Sequence, residues 1–138
     1  MNGKNLVIGS LVGLVALYIL GYILFDTVFA DFYAQNAGSA TGVAREEPLI
    51  WATVLGTLSY AVLLTLGIGS RSGAVSAADG AKVGATIGFL LWFTVDFILF
   101  GYQNVSNLTL AVTDPVLELV RGGIAGAVIA VVLGKTSG

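Results

Sequence analysis

The 138-residue chain has no cysteine and no histidine. That removes thiol nucleophiles, disulfides, imidazole bases and His- or Cys-ligated haem and zinc from its own chemistry. Only hard-cation binding to carboxylates would remain for a metal, and neither a metal site nor a cofactor is expected. Charge is scarce too: 10% of the residues are Asp, Glu, Lys or Arg, with a net charge of −2. No basic cluster exists, so a nucleic-acid partner is excluded. Proline occurs only as Pro48 and Pro115. Each stands where a first-turn proline belongs, Pro115 with Asp114 as its N-cap, so no proline is expected to kink a helix.

What fills the chain is apolar. It is 57% hydrophobic with a mean hydropathy of +0.94, beyond the range of soluble globular domains. Residues 5–25 carry no charge between Lys4 and Asp26, and 48–70 none between Glu47 and Arg71. A third run, Val83 to Tyr102, holds only Asp96, and a fourth, Pro115 to Gly134, holds Glu118 and Arg121. Each has the roughly 20 residues that cross about 30 Å of hydrocarbon as a helix. The reading is an all-α polytopic membrane protein: one domain over 1–138, an antiparallel bundle of four transmembrane helices near 5–34, 48–69, 77–103 and 114–134. The first run is too long for the apolar region of a secretory signal, so it is expected to be retained. Ser76, three residues before Asp79, resembles a capping box and starts the third helix near Ala77.

Lysine and arginine set the orientation. Lys4, Arg71, Lys82 and Lys135 lie on one side of the spans and Arg45 alone on the other, so both termini are expected in the cytoplasm.

Helical spacing sorts the remaining residues onto faces. Gly80, Gly84, Gly88, Trp92 and Asp96 recur every fourth residue in the third span, and Asp114, Glu118, Gly122, Gly126, Ala130 and Gly134 in the fourth. Both stripes are small at the cytoplasmic end and acidic at the outer end. Gly84, Gly88, Gly122, Gly126 and Ala130 are therefore expected at helix contacts, because small side chains let backbones approach closely. The first span repeats the motif with Gly9 and Gly13, and its outer half carries Tyr18, Tyr22, Asp26, Phe29 and Tyr33 as an aromatic stripe around one acid.

Depth focuses attention on the acids. Counting 1.5 Å per residue, Asp96 and Arg121 each lie roughly 20 Å above the inner ends of their helices. A lone charge in hydrocarbon costs on the order of 3 kcal/mol or more, so the two are expected to pair, with Glu118 or Asp26 sharing the guanidinium. Structurally, that pair fixes register. Functionally, Tyr22, Asp26, Asp96, Asp114, Glu118 and Arg121 would line an outward polar pocket for a proton, a cation or a zwitterionic headgroup.

The segments LGYILFDTVFADFYAQNAG, GATIGFLLWFTVDFILF and LAVTDPVLELVRGG resemble those of small four-helix bacterial inner-membrane proteins of the domain-of-unknown-function type. The correspondence rests on Asp26 and Phe32-Tyr33 in the first helix, Asp96 in the third and Asp114 in the fourth. It departs at Phe97, Ile98 and Leu99, where an Asn is usual, and at Pro115 and Arg121. The resemblance implies a fold and a bacterial inner membrane rather than an activity. The functional expectation is proton- or cation-coupled transport or channel activity in a homo-oligomer, or with other membrane subunits, within the lipid bilayer. The alternative is an accessory or scaffold subunit of a larger membrane assembly. A lipid enzyme is disfavoured, because no serine or lysine stands beside an acid as an activated nucleophile, and no catalytic residue is expected.

Overall fold

A computed structural model describes residues 1–136. Among them are four helices long and apolar enough to cross a membrane, and the chain is an integral membrane protein of the all-α class. In chain order the elements are α1 (Gly3–Gly21), a π-helical continuation (Tyr22–Val28), α2 (Ala30–Gln35), α3 (Ile50–Gly69), α4 (Ala77–Tyr102) and α5 (Leu108–Thr136). The helical form follows from the solvent: hydrocarbon offers backbone N–H and C=O groups no partner, so each span must satisfy its own.

Side-chain caps set the boundaries. Asn2 caps α1 by accepting from the Asn5 amide at 2.8 Å. Ser76 accepts from the Asp79 amide at 3.1 Å and donates to its carboxylate at 2.7 Å, so α4 starts where the Ser-Asp spacing predicts. Two boundaries differ from expectation. The fourth span begins at Leu108 rather than 114, because Asn107 accepts from the Leu110 amide at 2.9 Å and caps the helix first. Asp114 is thus no N-cap, and Pro115 is buried inside α5, where it offers no amide to the turn before it. Pro48 stands two residues before α3 rather than in its first turn.

The first span also departs from one continuous helix to 34. Beyond Gly21 the backbone widens to i→i+5 bonding, with the Phe29 amide donating to the Leu24 carbonyl at 2.9 Å. Phe29 then leaves the helical region and α2 sets off separately. An edge contact of Phe25 with Tyr33 holds α2 over the end of the bundle. There the 36–40 segment joins the 104–107 loop: the Ala40 amide donates to the Asn104 carbonyl at 2.9 Å and the Asn107 amide to the Asn36 carbonyl at 3.1 Å.

α5 is the central helix, packed most extensively on α4 and then on α1, which in turn packs on α3. Both termini share an end with the 70–76 loop, as Met1 against Gly69 and a 3.4 Å bond between Thr136 and Asn5 show. A dry core of Leu17, Ala61, Leu64, Ala125 and Ile129 crosses the bundle, each residue essentially without exposed surface.

The α4–α5 seam is made of glycine. A Cβ on Gly84 would strike the Gly122 carbonyl, one on Gly126 the Gly80 carbonyl, and one on Gly88 the Glu118 carbonyl at 2.5 Å. Ala130 closes the seam against Gly80. By contrast, Gly134 and Gly56 meet nothing within 4 Å among the described residues. Replacing Gly126 with Leu must therefore push the helices apart and should destabilise the bundle by about 1–3 kcal/mol, the usual cost of overpacking. Gly56→Leu should leave it unchanged. Thermal denaturation of both variants in detergent provides the comparison, and equal melting would refute the seam.

A buried arginine and a partly open acid cavity

The seam dictates which polar side chains meet. Gly80 faces Gly126, Gly84 faces Gly122 and Gly88 faces Glu118. Continued upward, this antiparallel register sets Trp92 level with Asp114 and Asp96 level with Leu110. Arg121 lies eleven residues down α5 from Leu110, or roughly 16 Å along the axis. The expected Asp96–Arg121 pair therefore does not form. Counting depth from the assumed inner ends misjudged where the helices cross, an error that only the glycine contacts correct.

Arg121 is instead satisfied by its own helix and by α1. Its Nη1 donates to Glu118 Oε1 at 2.9 Å, one turn away. Its Nε and Nη2 both donate to the Leu17 carbonyl, at 3.0 and 2.8 Å. A helical carbonyl points toward the C-terminus, so the residue four positions on would ordinarily shield it. Here that residue is Gly21, where a Cβ would stand 2.9 Å from Arg121 Nη2. Gly21 is the opening through which the guanidinium reaches the backbone of α1. The rings of Phe25 and Tyr60 flank the cation at 5.3 and 5.9 Å, a favourable placement for a weakly hydrated guanidinium.

Glu118 is buried at 2% exposure, and its second oxygen, Oε2, has no hydrogen-bond partner among the described residues. The Tyr60 hydroxyl, 6% exposed as a residue, is likewise unpartnered; it projects into the gap that the missing side chains of Gly88 and Gly122 leave.

One turn up α5 the second group of acids begins. Tyr33 of α2 donates a hydrogen bond to Asp114. Burial first, and then that bond, raises the Tyr33 hydroxyl above the ordinary phenol range, so it remains a donor. The carboxyls of Asp96 and Asp114 line one cavity, while Asp96 Oδ2 and the Trp92 indole N–H lack partners among the described residues. These side chains line a partly open cavity of about 220 Å³ beside the 105–106 loop, walled further by Leu110 and Ala111. A larger cavity of about 400 Å³ lies at the terminal end; no carboxylate lines it.

The structure thus brings together Asp96, Asp114, Glu118 and Arg121 along one side of α5. It leaves out Asp26 and Tyr22, both exposed on the π-helical segment and in contact with neither group. The expectation that Asp26 shares the guanidinium fails for the same reason: Asp26 turns outward and Glu118 occupies the place. Sequence reasoning missed Tyr60, Gly21 and the Leu17 carbonyl. A signal existed for the last two, since Gly9, Gly13, Leu17 and Gly21 form one four-residue stripe in α1. Nothing marked Tyr60 among the tyrosines.

No family model, curated protein or solved structure matches the chain.

The pairing has a measurable consequence. Arg121→Ala strands the Glu118 charge in the core and should cost about 3–5 kcal/mol. Asp96→Asn keeps shape and hydrogen-bonding capacity and does not touch the guanidinium, so it should melt close to the parent. Denaturation of the two variants in detergent tests this; a more damaging Asp96→Asn would restore the rejected pair.

Proposed function

We propose that the protein moves a proton or small cation across a bacterial inner membrane, using the carboxyls of Asp96, Asp114 and Glu118 as its binding groups. One observation carries this reading: a partly open cavity brings two carboxyls side by side, with a third acid just below that keeps one oxygen unpartnered. Carboxylates at membrane depth are expensive, and a purely structural role would call for their full pairing. Three acids against one arginine leave an excess of negative charge, which suits a cationic substrate.

Access is one-sided. The apolar layer of Leu17, Ala61, Leu64, Ala125 and Ile129 closes the acids off from the terminal end, so this arrangement corresponds to a state open toward the α2 end. Lys4, Arg71, Lys82 and Lys135 at the terminal end support a cytoplasmic side there by the positive-inside rule, and with it a cavity mouth on the outer side. The resemblance to small bacterial inner-membrane proteins supports the same location.

The second reading is an accessory subunit or a homo-oligomeric scaffold. α4 favours it: Phe89, Phe93, Phe97 and Phe100 form a ladder of rings with successive centroids 5.5, 4.4 and 6.5 Å apart, on the span with the least buried surface. Another helix could pack there.

Reconstitution into liposomes containing a pH-sensitive dye separates the two. Transport predicts a flux above that of empty liposomes under a pH or cation gradient. Replacing Asp96 and Asp114 together with Asn should lower it at least about tenfold, a barrier change of roughly 1.4 kcal/mol. A parent protein indistinguishable from empty liposomes would sink the transport reading and leave the subunit.

A further inference from the structure

The cavity and the buried arginine are joined by a residue that belongs to both. Glu118 stands one helical turn below Asp114 and three residues before Arg121. Oε1 is held by Arg121 at 2.9 Å, whereas Oε2 has no partner among the described residues and Glu118 is more than nine-tenths buried. Across the bundle the Tyr60 hydroxyl is equally buried and equally unpartnered. One is an acceptor without a donor; the other can donate and accept. Both adjoin the glycine seam at Gly88, whose missing Cβ would meet the Glu118 backbone and the Tyr60 hydroxyl alike.

Resting on the transport reading, we propose that Glu118 is an internal proton acceptor, loaded from the Asp96–Asp114 cavity and linked through one water to the Tyr60 hydroxyl, which keeps its own proton, so that the species taken up is the proton.

The alternatives fail on donor count and access. A metal ion at Oε2 would find one carboxylate oxygen and one phenol, far short of the six or more oxygens that hard cations take. It would also sit beside the Arg121 charge. Among the described residues no three acids converge to hold a metal ion. A small organic cation in the cavity would not reach Glu118, which does not line it. A proton needs only a single oxygen lone pair.

The transfer itself is simple in atoms and charge. An O–H bond breaks at the Asp96–Asp114 carboxyl pair and another forms at Glu118 Oε2, directly or through one water; no electrons are exchanged. The pair becomes more negative by one charge and Glu118 neutral, which loosens its hold on Arg121. The groups that face Glu118 and set this balance are Arg121 and Asp114 on α5, Asp96 on α4, Tyr60 on α3 and Tyr33 on α2. From α1 comes only the Leu17 carbonyl, through Arg121. Neutral Glu118 leaves the guanidinium its two bonds to that carbonyl, so the bundle need not come apart when the proton arrives.

Two measurements on the reconstituted protein test the proposal. Infrared difference spectra between acid and alkaline medium should carry two separate carboxyl signals, one lost in Glu118→Gln and the other in Asp114→Asn. Tyr60→Phe, which keeps the ring beside Arg121, should shift the Glu118 signal without removing it; this arm does not depend on the Glu118 variant folding. In liposomes, proton flux should fall on the order of a hundredfold in Glu118→Gln, the scale of losing a positioned proton-transfer group. If the parent moves sodium or methylammonium but no protons, the proton acceptor is overturned while transport stands. If nothing moves at all, transport itself fails, and the spectra still decide: a Glu118 signal sustains the acceptor, its absence overturns that too.

Discussion

A guanidinium cannot be left alone in hydrocarbon, and the way Arg121 is satisfied organises the bundle around it. One carboxylate on its own helix neutralises it, a backbone carbonyl of α1 takes two of its donors, and rings from the first span and from α3 flank it. Each contact constrains a different element. The bonds to Leu17 set how α1 leans on α5, and they exist only because Gly21 leaves that carbonyl uncovered. Removing an ion from water costs several kcal/mol unless geometry and hydrogen bonds restore most of it. The single side chain that does so here ties three spans together.

The glycine seam supplies the second constraint. Lipid chains are as apolar as leucine, so helices in a membrane associate through close packing rather than through the hydrophobic effect. Where Gly80, Gly84 and Gly88 face Gly126, Gly122 and Glu118, backbone meets backbone and the register admits no slip of a turn. That register decides the electrostatics above it. It carries Asp96 away from Arg121 and up to Asp114, turning what could have been a neutral pair into two neighbouring acids. The neighbouring acids are a consequence of packing at the glycine seam.

Irregular backbone completes the site. The π-helical stretch Tyr22–Val28 ends the regular part of α1 just above the Leu17 carbonyl, and the break at Phe29 lets α2 bring Tyr33 back over α5. A straight helix to residue 34 would have carried Tyr33 away from the bundle. π-Helical insertions recur at functional sites, and Phe25 of this one reaches both Arg121 and Tyr33.

Length, hydropathy and charge-free runs were enough to read four spans from the amino acids, because a bilayer makes one demand of every crossing segment. The four-residue stripes likewise marked Gly84, Gly88, Gly122, Gly126 and Ala130 as one face each, since helical periodicity is local. Asp96, Asp114, Glu118 and Arg121 stood out as rare charges at depth. Their partners did not, because pairing depends on how far one helix slides along another, and no local signal records a slide. Depth counted from assumed ends put Asp96 opposite Arg121; contact between glycines put it opposite Leu110. The N-cap was decided in the same way: Asn107 and Asp114 are both competent caps, and the tie to Asn36 across the loops accompanies Asn107, while Tyr33 engages Asp114. Composition determined that this chain lives in a membrane and has acids to hide there, whereas only the tertiary contacts decided which acid neutralises the arginine and which are left facing one another.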